Sequence, residues 1–163
     1  MSISLFGNTD INDGIVNIYD KMNRTQPEVI EYMKECLNGK TVITDEFHAG
    51  IIEKEGIKPK EIVVLSDTFG IDNNEVDRIA RIQGAEHVVF GSQELYEAFL
   101  PRASTIYMVR QHIVMITFNE FPELGYEDWS IDPSEVKKIN TKKKYSFDLT
   151  LAVYRRKFTK KAE

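Results

Sequence analysis

One glycine stands where the chain could bring a phosphate close to its backbone. Gly91 and Ser92 follow the apolar run His87–Phe90 and precede a predicted helix, Gln93–Phe99. A glycine at the carboxyl end of a parallel strand, just before a helix, leaves room for a phosphate to reach free backbone N–H groups. A single glycine is a weak signal, however, and the same residue is equally consistent with a tight turn that binds nothing.

Glu28 is a second candidate for chemistry, because it lies in the first turn of a predicted helix. That helix runs from Pro27 to Leu37, with apolar residues at helical spacing and Asn38-Gly39 after its end. A carboxylate held in an apolar pocket is suited to general acid–base work. The helix macrodipole alone also favours an acid in the first turn, and the bare residues favour that interpretation.

The sequence has no metal site of the usual spacing. The potential ligands Cys36, His48, His87 and His112 are scattered and lack the short pairs that zinc sites show. Cys36 is also the only cysteine, so no internal disulfide can form, which fits a reducing compartment. We therefore expect neither a metal nor a disulfide framework.

Composition and length indicate one domain. The chain has 163 residues, of which 42% are hydrophobic and 29% charged, and one core of that size leaves little room for a second. No apolar run approaches the ~20 residues that cross a bilayer, and the N-terminus lacks the features of a secretory signal. We predict a single domain over residues 1–163 that is monomeric and cytoplasmic and has no membrane partner.

Positive charge is concentrated near the C-terminal end, although the formal net charge is −5. The basic residues of this region are Lys137, Lys138, Lys142, Lys143, Lys144, Arg155, Arg156, Lys157, Lys160 and Lys161. Such a region can bind nucleic acid, but no aromatic or glycine pattern of a nucleic-acid module accompanies it, and the rest of the chain is acidic. We favour a lysine-rich turn and a solvated tail, in which residues 157–163 could be disordered, and expect no nucleic-acid partner.

The order of predicted elements indicates an α/β fold. Short apolar runs predict strands at Ile3–Phe6, Thr41–Thr44, Glu61–Leu65, His87–Phe90 and Thr105–Arg110, with Glu61–Leu65 as a buried strand. Helices are predicted at Pro27–Leu37, at Phe47–Glu55, from a cap at Asn73 or Asn74 to about Gln83, and at Gln93–Phe99. Lys144–Arg156 alternates as a half-buried strand does. Together they predict a mostly parallel central sheet with an antiparallel C-terminal strand.

A longer string resembles one known family, the dihydrofolate reductases. The string HVVFGSQELYEAFLPRASTIYMVR matches one continuous pattern of that family. The pattern consists of an apolar strand, a Gly-Gly pair, a Tyr-bearing helix, a Leu-Pro-x-Ala turn and a Leu-Tyr-Leu-Thr strand. Downstream, FPELGYEDW matches the family's Phe-Pro segment that ends in Trp, and YSFDLTLAVYRR matches its closing strand. Upstream, EIVVLS matches its Ile-Ile-Leu-Ser strand. The resemblance covers most of residues 61–156 and implies the family's three-layer fold.

The resemblance also implies an activity, the reduction of dihydrofolate to tetrahydrofolate by hydride transfer from NADPH. The family's pocket has one prominent ionisable side chain, a carboxylate early in the first long helix that binds the pteridine ring and assists protonation. Glu28-Val29-x-x-Tyr32 matches that helix, so Glu28 is the implied catalytic carboxylate and could make paired hydrogen bonds to the ring. If Pro27 is aligned directly with the family's proline, Val29 takes this place instead and the chain has no acid there.

Further site residues follow from the resemblance alone. Met22 lies where the family has a methionine on a loop that closes over the nicotinamide, and it joins Glu28 as a catalytic candidate. The pterin or folate substrate is expected at Phe6, Gly7, Val29, Tyr32, Ile57, Lys60 and Phe90. Lys60 replaces an arginine that binds the folate α-carboxylate, and lysine lacks the two-pronged fork. The nicotinamide cofactor is expected at Asn8, His48, Ser66, Asp67, Gly91, Ser92 and Tyr96.

Three residues depart from the family's pattern on the substrate side and at the glycine pair. Ser92 replaces the second glycine, Arg24 replaces a loop tryptophan, and Val109 replaces the threonine that tethers the pterin and its acidic partner.

The cofactor side departs as well. Where the family reads apolar-Gly-(Arg/Lys)-x-Thr, with the basic residue pairing with the 2′-phosphate of NADPH, residues 44–48 read TDEFH. Acids at Asp45, Glu46 and Asp67 would repel a phosphate and favour a ribose hydroxyl. The cofactor is therefore expected to be NADPH or NADH, with NADH bound at least as tightly.

Two hypotheses from different classes remain. The first is a divergent, working dihydrofolate reductase with Glu28 as its ring-binding carboxylate. The second is a catalytically impaired protein that uses the same scaffold as a binding or interaction module. The retained acid, aromatic residue and loop methionine favour the first. The lost tryptophan, threonine, second glycine and phosphate-binding base favour the second.

Overall fold

The computed structural model describes residues 3–16, 26–65, 71–81, 86–115, 117, 119–140 and 147–157. The strands are β1 (Ile3–Thr9), β2 (Thr41–Asp45), β3 (Glu61–Leu65), β4 (His87–Val89), β5 (Ala103–Gln111), β6 (Trp129–Ile131), β7 (Lys137–Ile139) and β8 (Leu149–Arg156). The α-helices are α1 (Pro27–Leu37), α2 (Glu46–Lys54), α3 (Asn73–Ala80) and α4 (Gln93–Phe99). Single turns of 3-10 helix lie at Leu100–Arg102 and Pro133–Glu135.

The strands form one mixed sheet. Its order is β3-β2-β4-β1-β5-β8-β6, and β7 also pairs with β8. The first five strands of this order run parallel, whereas β8 is antiparallel to β5, β6 and β7. The predicted fold class, a mostly parallel sheet with an antiparallel C-terminal strand, is confirmed.

Helices cover both faces of this sheet, which gives three layers. Buried residues of α1 and α2 pack on one face together with Phe6, Phe90 and Val109. Buried residues of α3 and α4 pack on the other face. Parallel strands joined by helices are expected to be covered in this way, because each crossover places a helix over the sheet.

The first helix illustrates how the sequence determines an element. Pro27 occupies its first turn, where the fixed φ of proline suits the helix and its missing N–H costs nothing. The residue before it, Gln26, does not cap the helix with its side chain. The Gln26 amide instead donates to the carbonyl of Phe147 at 2.8 Å and accepts from the Phe147 N–H at 3.2 Å. This pair ties the start of α1 to the segment that leads into β8.

The sheet order places one crevice. The chain leaves β1 toward β2 with α1 on one face, and it leaves β4 toward β5 with α4 on the other face. The connections after the neighbouring strands β1 and β4 therefore diverge at their carboxyl ends. In open α/β sheets such a switch point is where ligands bind.

Several element predictions need correction. Glu61–Leu65 is a strand, but it is not buried: it is the edge strand β3, and Ile62 and Val64 are 42% and 44% exposed. Helix α3 is capped by Asp72, whose carboxylate accepts from the Glu75 N–H, and not by Asn73 or Asn74. The first strand extends to Thr9, beyond the predicted Ile3–Phe6. Strands β6 and β7 were not predicted, because three residues are too few to show a period.

No helix among the described residues is long and apolar enough to cross a membrane. In the same part of the chain, no group of three or more His, Cys, Asp or Glu side chains is placed to hold a metal ion. The cytoplasmic location and the monomeric state remain predictions.

His87 is a buried histidine that forms no ion pair with the described residues. It begins β4, is 0% exposed, and neither ring nitrogen has a hydrogen-bond partner among the residues that the structure describes. Burial lowers the pKa of His87 below its ordinary value, although the nearby Glu61 carboxylate opposes this. The imidazole is therefore neutral in the folded protein near neutral pH.

We predict a pH-dependent loss of stability from His87. The pKa of His87 in the folded protein lies below the unfolded value of 6.5. The stability contributed by the neutral His87 ring is therefore fully present above pH 6.5, and it is lost as the pH falls from there toward the folded pKa. The free energy of unfolding should fall between about pH 7 and about pH 5. His87→Leu should flatten this slope in urea titrations, whereas the exposed control His112→Gln should retain it. An unchanged slope in His87→Leu would contradict the prediction.

Candidate functional site

The candidate site lies at the carboxyl ends of β1, β2 and β4. Asp45 is the last residue of β2, and α2 follows it directly. Gly91 and Ser92 lie between β4 and α4, and Asn8 lies near the end of β1. The predicted cofactor residues Asn8, His48, Gly91, Ser92 and Tyr96 are thereby brought together, as neighbouring parallel strands require.

The Asp45 carboxylate is the centre of this site. One of its oxygens, Oδ1, accepts from the backbone N–H of His48 at 2.8 Å, and the other, Oδ2, accepts from the backbone N–H of Ser92 at 3.1 Å. The His48 ring nitrogen Nδ1 lies 2.8 Å from Oδ1 and 3.0 Å from Oδ2. One side chain thus caps α2 and also binds the turn that leads into α4.

The Asp45 carboxylate remains ionised at neutral pH. Burial pushes its pKa up, but the hydrogen bond and charge of His48, together with the backbone N–H groups of His48 and Ser92, hold the pKa below its ordinary value. Both side chains of the pair are largely buried, with 13% of Asp45 and 12% of His48 exposed. The site therefore contains a negative charge that the protein itself stabilises.

The His48 ring is fixed in place from several sides. It lies edge-to-face against the rings of Phe47 and Phe90, with centroid separations of 5.2 and 4.9 Å. Since a carboxylate only accepts hydrogen bonds, the proton between His48 and Asp45 belongs to Nδ1. The second ring nitrogen, Nε2, takes no part in the contact with Asp45. The ring lines a narrow cleft whose other walls are Asn8, Ile15, Val16, Ile51, Phe90 and Tyr96.

Asn8 contributes a buried amide to this cleft. Its side chain is 4% exposed, and its oxygen accepts from the Gln111 amide at 2.9 Å. The Asn8 nitrogen Nδ2 has no partner among the described residues. Buried polar atoms are normally paired, often with an ordered water, so this donor is available to a water or a small polar group in the cleft.

Tyr96 ties α4 to the sheet. Its ring is 1% exposed, and its hydroxyl donates to the Phe6 carbonyl and accepts from the Gly91 N–H at 3.2 Å. Burial raises the pKa of Tyr96, so the hydroxyl stays neutral. The position of Gly91 admits no side chain: a Cβ there would lie 2.5 Å from Leu95 and 3.0 Å from Asp45 Oδ2.

The crevice is apolar at the start of α1. Val29 is 0% exposed and belongs to the same buried cluster as Phe6, Phe90 and Val109. Glu28 is half-buried, and its carboxylate makes no hydrogen bond or ion pair with the described residues. Of these two residues, the one that α1 directs into the core is therefore Val29.

Phe6 fills part of the space next to Val29. Its ring centroid lies 6.0 Å from that of Tyr32 and 5.8 Å from that of Phe90, in tilted and edge-on contacts. Phe6 itself is 0% exposed. Aromatic packing of this kind makes the floor of the crevice a continuation of the hydrophobic core.

Some predicted site residues lie elsewhere. Gly7 faces the opposite side of the sheet, where a Cβ would approach Phe121 to 2.8 Å. Lys60 is exposed before the edge strand β3, and its N–H donates to the Lys40 carbonyl at 2.8 Å. Ile57 is buried beside α2, at a surface groove. Met22, Ser66 and Asp67 lie outside the described residues.

Sequence reasoning missed other residues of the site. The walls formed by Ile15, Val16 and Ile51 carry no chemical signal of their own. The Gln111 amide could have been suspected, because it is a polar residue at the end of an otherwise apolar strand. Asp45 was recognised only as a charge that would repel phosphate, and its bonds to two backbone segments depend on the tertiary structure.

The known proteins to which the chain is similar are dihydrofolate reductases, the family that the sequence motifs resemble. No family model matches the chain. The chain is 23% identical over 156 residues to a dihydrofolate reductase of Haemophilus influenzae, a match that covers 89% of this chain and 94% of that protein. A solved structure, dihydrofolate reductase from Enterococcus faecalis complexed with NADP(H) and RAB-propyl, superposes with a TM-score of 0.73 at 15% identity. That match covers 95% of this chain and 96% of the other.

Proposed function

We propose that this chain, which has the fold of the dihydrofolate reductases and resembles them over most of its length, is a divergent protein of that type that serves as an interaction module and does not reduce dihydrofolate. The observation that carries the proposal is the buried valine at the start of α1. Val29 lies in one apolar cluster with Val109.

These two valines remove the polar partners that the resemblance implies for the pterin. In the alignment that matches Pro27 directly to the family's proline, the family's carboxylate would stand at Val29, and the threonine that tethers it would stand at Val109. An apolar pair cannot make the charge-assisted hydrogen bonds that orient a pteridine, and it cannot relay a proton. Glu28, half-buried one residue earlier, does not replace them within the described part of the chain, because a step of one residue turns a helical side chain by about 100°.

An exposed apolar groove offers a surface for a partner. It lies between α2 and the edge strand β3 and has a volume of about 640 Å³. Its lining consists of Ala49, Gly50, Ile52, Ile57, Ile62 and Val64, with Glu46 and Glu53. Exposed apolar surface bordered by polar residues is typical of interaction sites.

Charge determines the kind of partner that this groove suits. The charged residues among its described lining, Glu46 and Glu53, are both acidic. A segment with an apolar face flanked by Lys or Arg would bury its apolar side chains and meet both carboxylates. An amphipathic basic helix laid in a groove has these properties.

We predict preferential binding of a basic amphipathic peptide. A fluorescent helical peptide of Leu and Lys should bind at least about tenfold more tightly than the same peptide with Glu in place of Lys, as measured by anisotropy at low salt. Val64→Asn should weaken binding about fivefold or more, because it removes apolar surface from the groove. The matched control Val114→Asn changes a valine that is 67% exposed outside the groove, and it should leave the affinity unchanged. Equal binding of both peptides, or equal effects of both substitutions, would contradict the groove assignment.

A working reductase is the second candidate. It is supported by the likeness to the Haemophilus influenzae dihydrofolate reductase over 89% of the chain and by the position of Tyr96, which bonds to Phe6 and Gly91 beside the cleft. In this case the substrate would be a pterin or folate, the cofactor NADPH or NADH, and Glu28 the acid.

We predict the outcome of one assay that separates the two candidates. Purified protein with dihydrofolate and either NADPH or NADH should oxidise the cofactor no faster than the reaction without protein. Glu28→Gln should behave identically, because the interaction module does not use that carboxylate for catalysis. Cofactor oxidation by the wild-type protein that falls at least about tenfold in Glu28→Gln would establish the reductase instead.

A further inference from the structure

We infer that Asp45 serves as an internal anion that occupies the phosphate position of the crevice and keeps phosphate-bearing nucleotides out of it. The inference is independent of the proposed function, since it concerns only the nucleotide side of the crevice. It identifies the residue responsible and the class of ligand that is excluded.

The N–H donors that a phosphate would need are already occupied. The backbone N–H groups of His48, in the first turn of α2, and of Ser92, before α4, are the kind of group that binds a phosphate at a parallel sheet. Both already donate to the Asp45 carboxylate, at 2.8 and 3.1 Å. A phosphate would have to displace this carboxylate to reach them.

The space beside Gly91 is occupied as well. The Asp45 oxygen Oδ2 lies within 3.0 Å of the point that a Cβ on Gly91 would occupy. The gap that a glycine opens at the end of β4 is therefore filled by a side chain from the neighbouring strand. A ligand oxygen cannot enter the same place.

The negative charge at the start of α2 also opposes a phosphate. The Asp45 carboxylate is ionised, and Glu46 adds a second acid at the start of α2. The His48 ring could offset a bound anion, but it already lies against Asp45. A diphosphate brought here would meet like charge in a partly buried setting, where such repulsion is screened less than at the surface.

The nicotinamide dinucleotide that the fold family implies therefore does not fit this part of the chain. Its diphosphate would require the two N–H groups that Asp45 uses. Replacement of Asp45 by Gly should free both groups, since the N–H donors belong to the backbone and remain after substitution. Replacement by Asn should free one of them and remove the charge, because an amide has a single acceptor oxygen.

The test compares binding of inorganic pyrophosphate and of NADPH to four proteins by isothermal titration calorimetry. These are the wild-type protein, Asp45→Gly, Asp45→Asn and Asp72→Asn. Asp45→Asn removes the charge but keeps a residue that caps helices well, so it covers the case in which Asp45→Gly does not fold. Asp72→Asn is the matched control, because Asp72 caps α3 through an equivalent bond to the Glu75 N–H, away from the crevice.

We expect the wild-type protein and Asp72→Asn to bind both ligands weakly and equally. Asp45→Gly or Asp45→Asn should bind pyrophosphate and NADPH at least about tenfold more tightly than the wild-type protein. Wild-type binding of NADPH at micromolar concentration, or folded Asp45 variants that bind no better than the wild-type protein, would overturn the inference. The Leu and Lys peptide should bind all four proteins alike, so that failure of the groove proposal is recognised separately.

Discussion

The hydrogen bonds of the Asp45 carboxylate connect three parts of the structure that meet at the carboxyl ends of β2 and β4. They begin α2, they hold the turn between β4 and α4, and they fix the His48 ring against Phe90. Without Asp45, two backbone N–H groups in a partly buried setting would lose their acceptor, at a cost of about 1–3 kcal/mol each. The carboxylate thus has a structural task at the place where the fold otherwise offers a site for an anion.

Apolar side chains of the protein also fill the other side of the crevice, near the start of α1. Val29 and Val109 belong to one buried apolar cluster with Phe6, and Val109 stands where the family resemblance implies a threonine. A scaffold can keep its core and topology while its site changes, because the layers are stabilised by burial spread over many residues, whereas catalysis depends on a few. The likeness to dihydrofolate reductases therefore holds for the fold, and the chemistry is a separate question.

Much of the fold could be predicted because its signals are local. The bounds of α1 follow from Pro27 and from the apolar spacing up to Leu37, and α4 follows from the resemblance around Gly91. The apolar run of β3 was taken for a buried strand, since composition cannot distinguish a central strand from an edge. Likewise, the sequence cannot tell whether Val29 or Glu28 faces the core without the orientation of α1, or that Asp45 bonds to Ser92, which is 47 residues away.

The central claim, that Asp45 is an ionised carboxylate bound by two backbone segments, is tested most directly by nuclear magnetic resonance. The 13C shift of the Asp45 carboxyl and the 1H shifts of the His48 and Ser92 amides would be followed from neutral to acid pH. The account predicts that all three titrate together, with a pKa below the ordinary aspartate value, because protonation of one carboxylate weakens both hydrogen bonds. A Ser92 amide that does not follow the carboxyl, or a carboxyl pKa at or above the ordinary value, would contradict it.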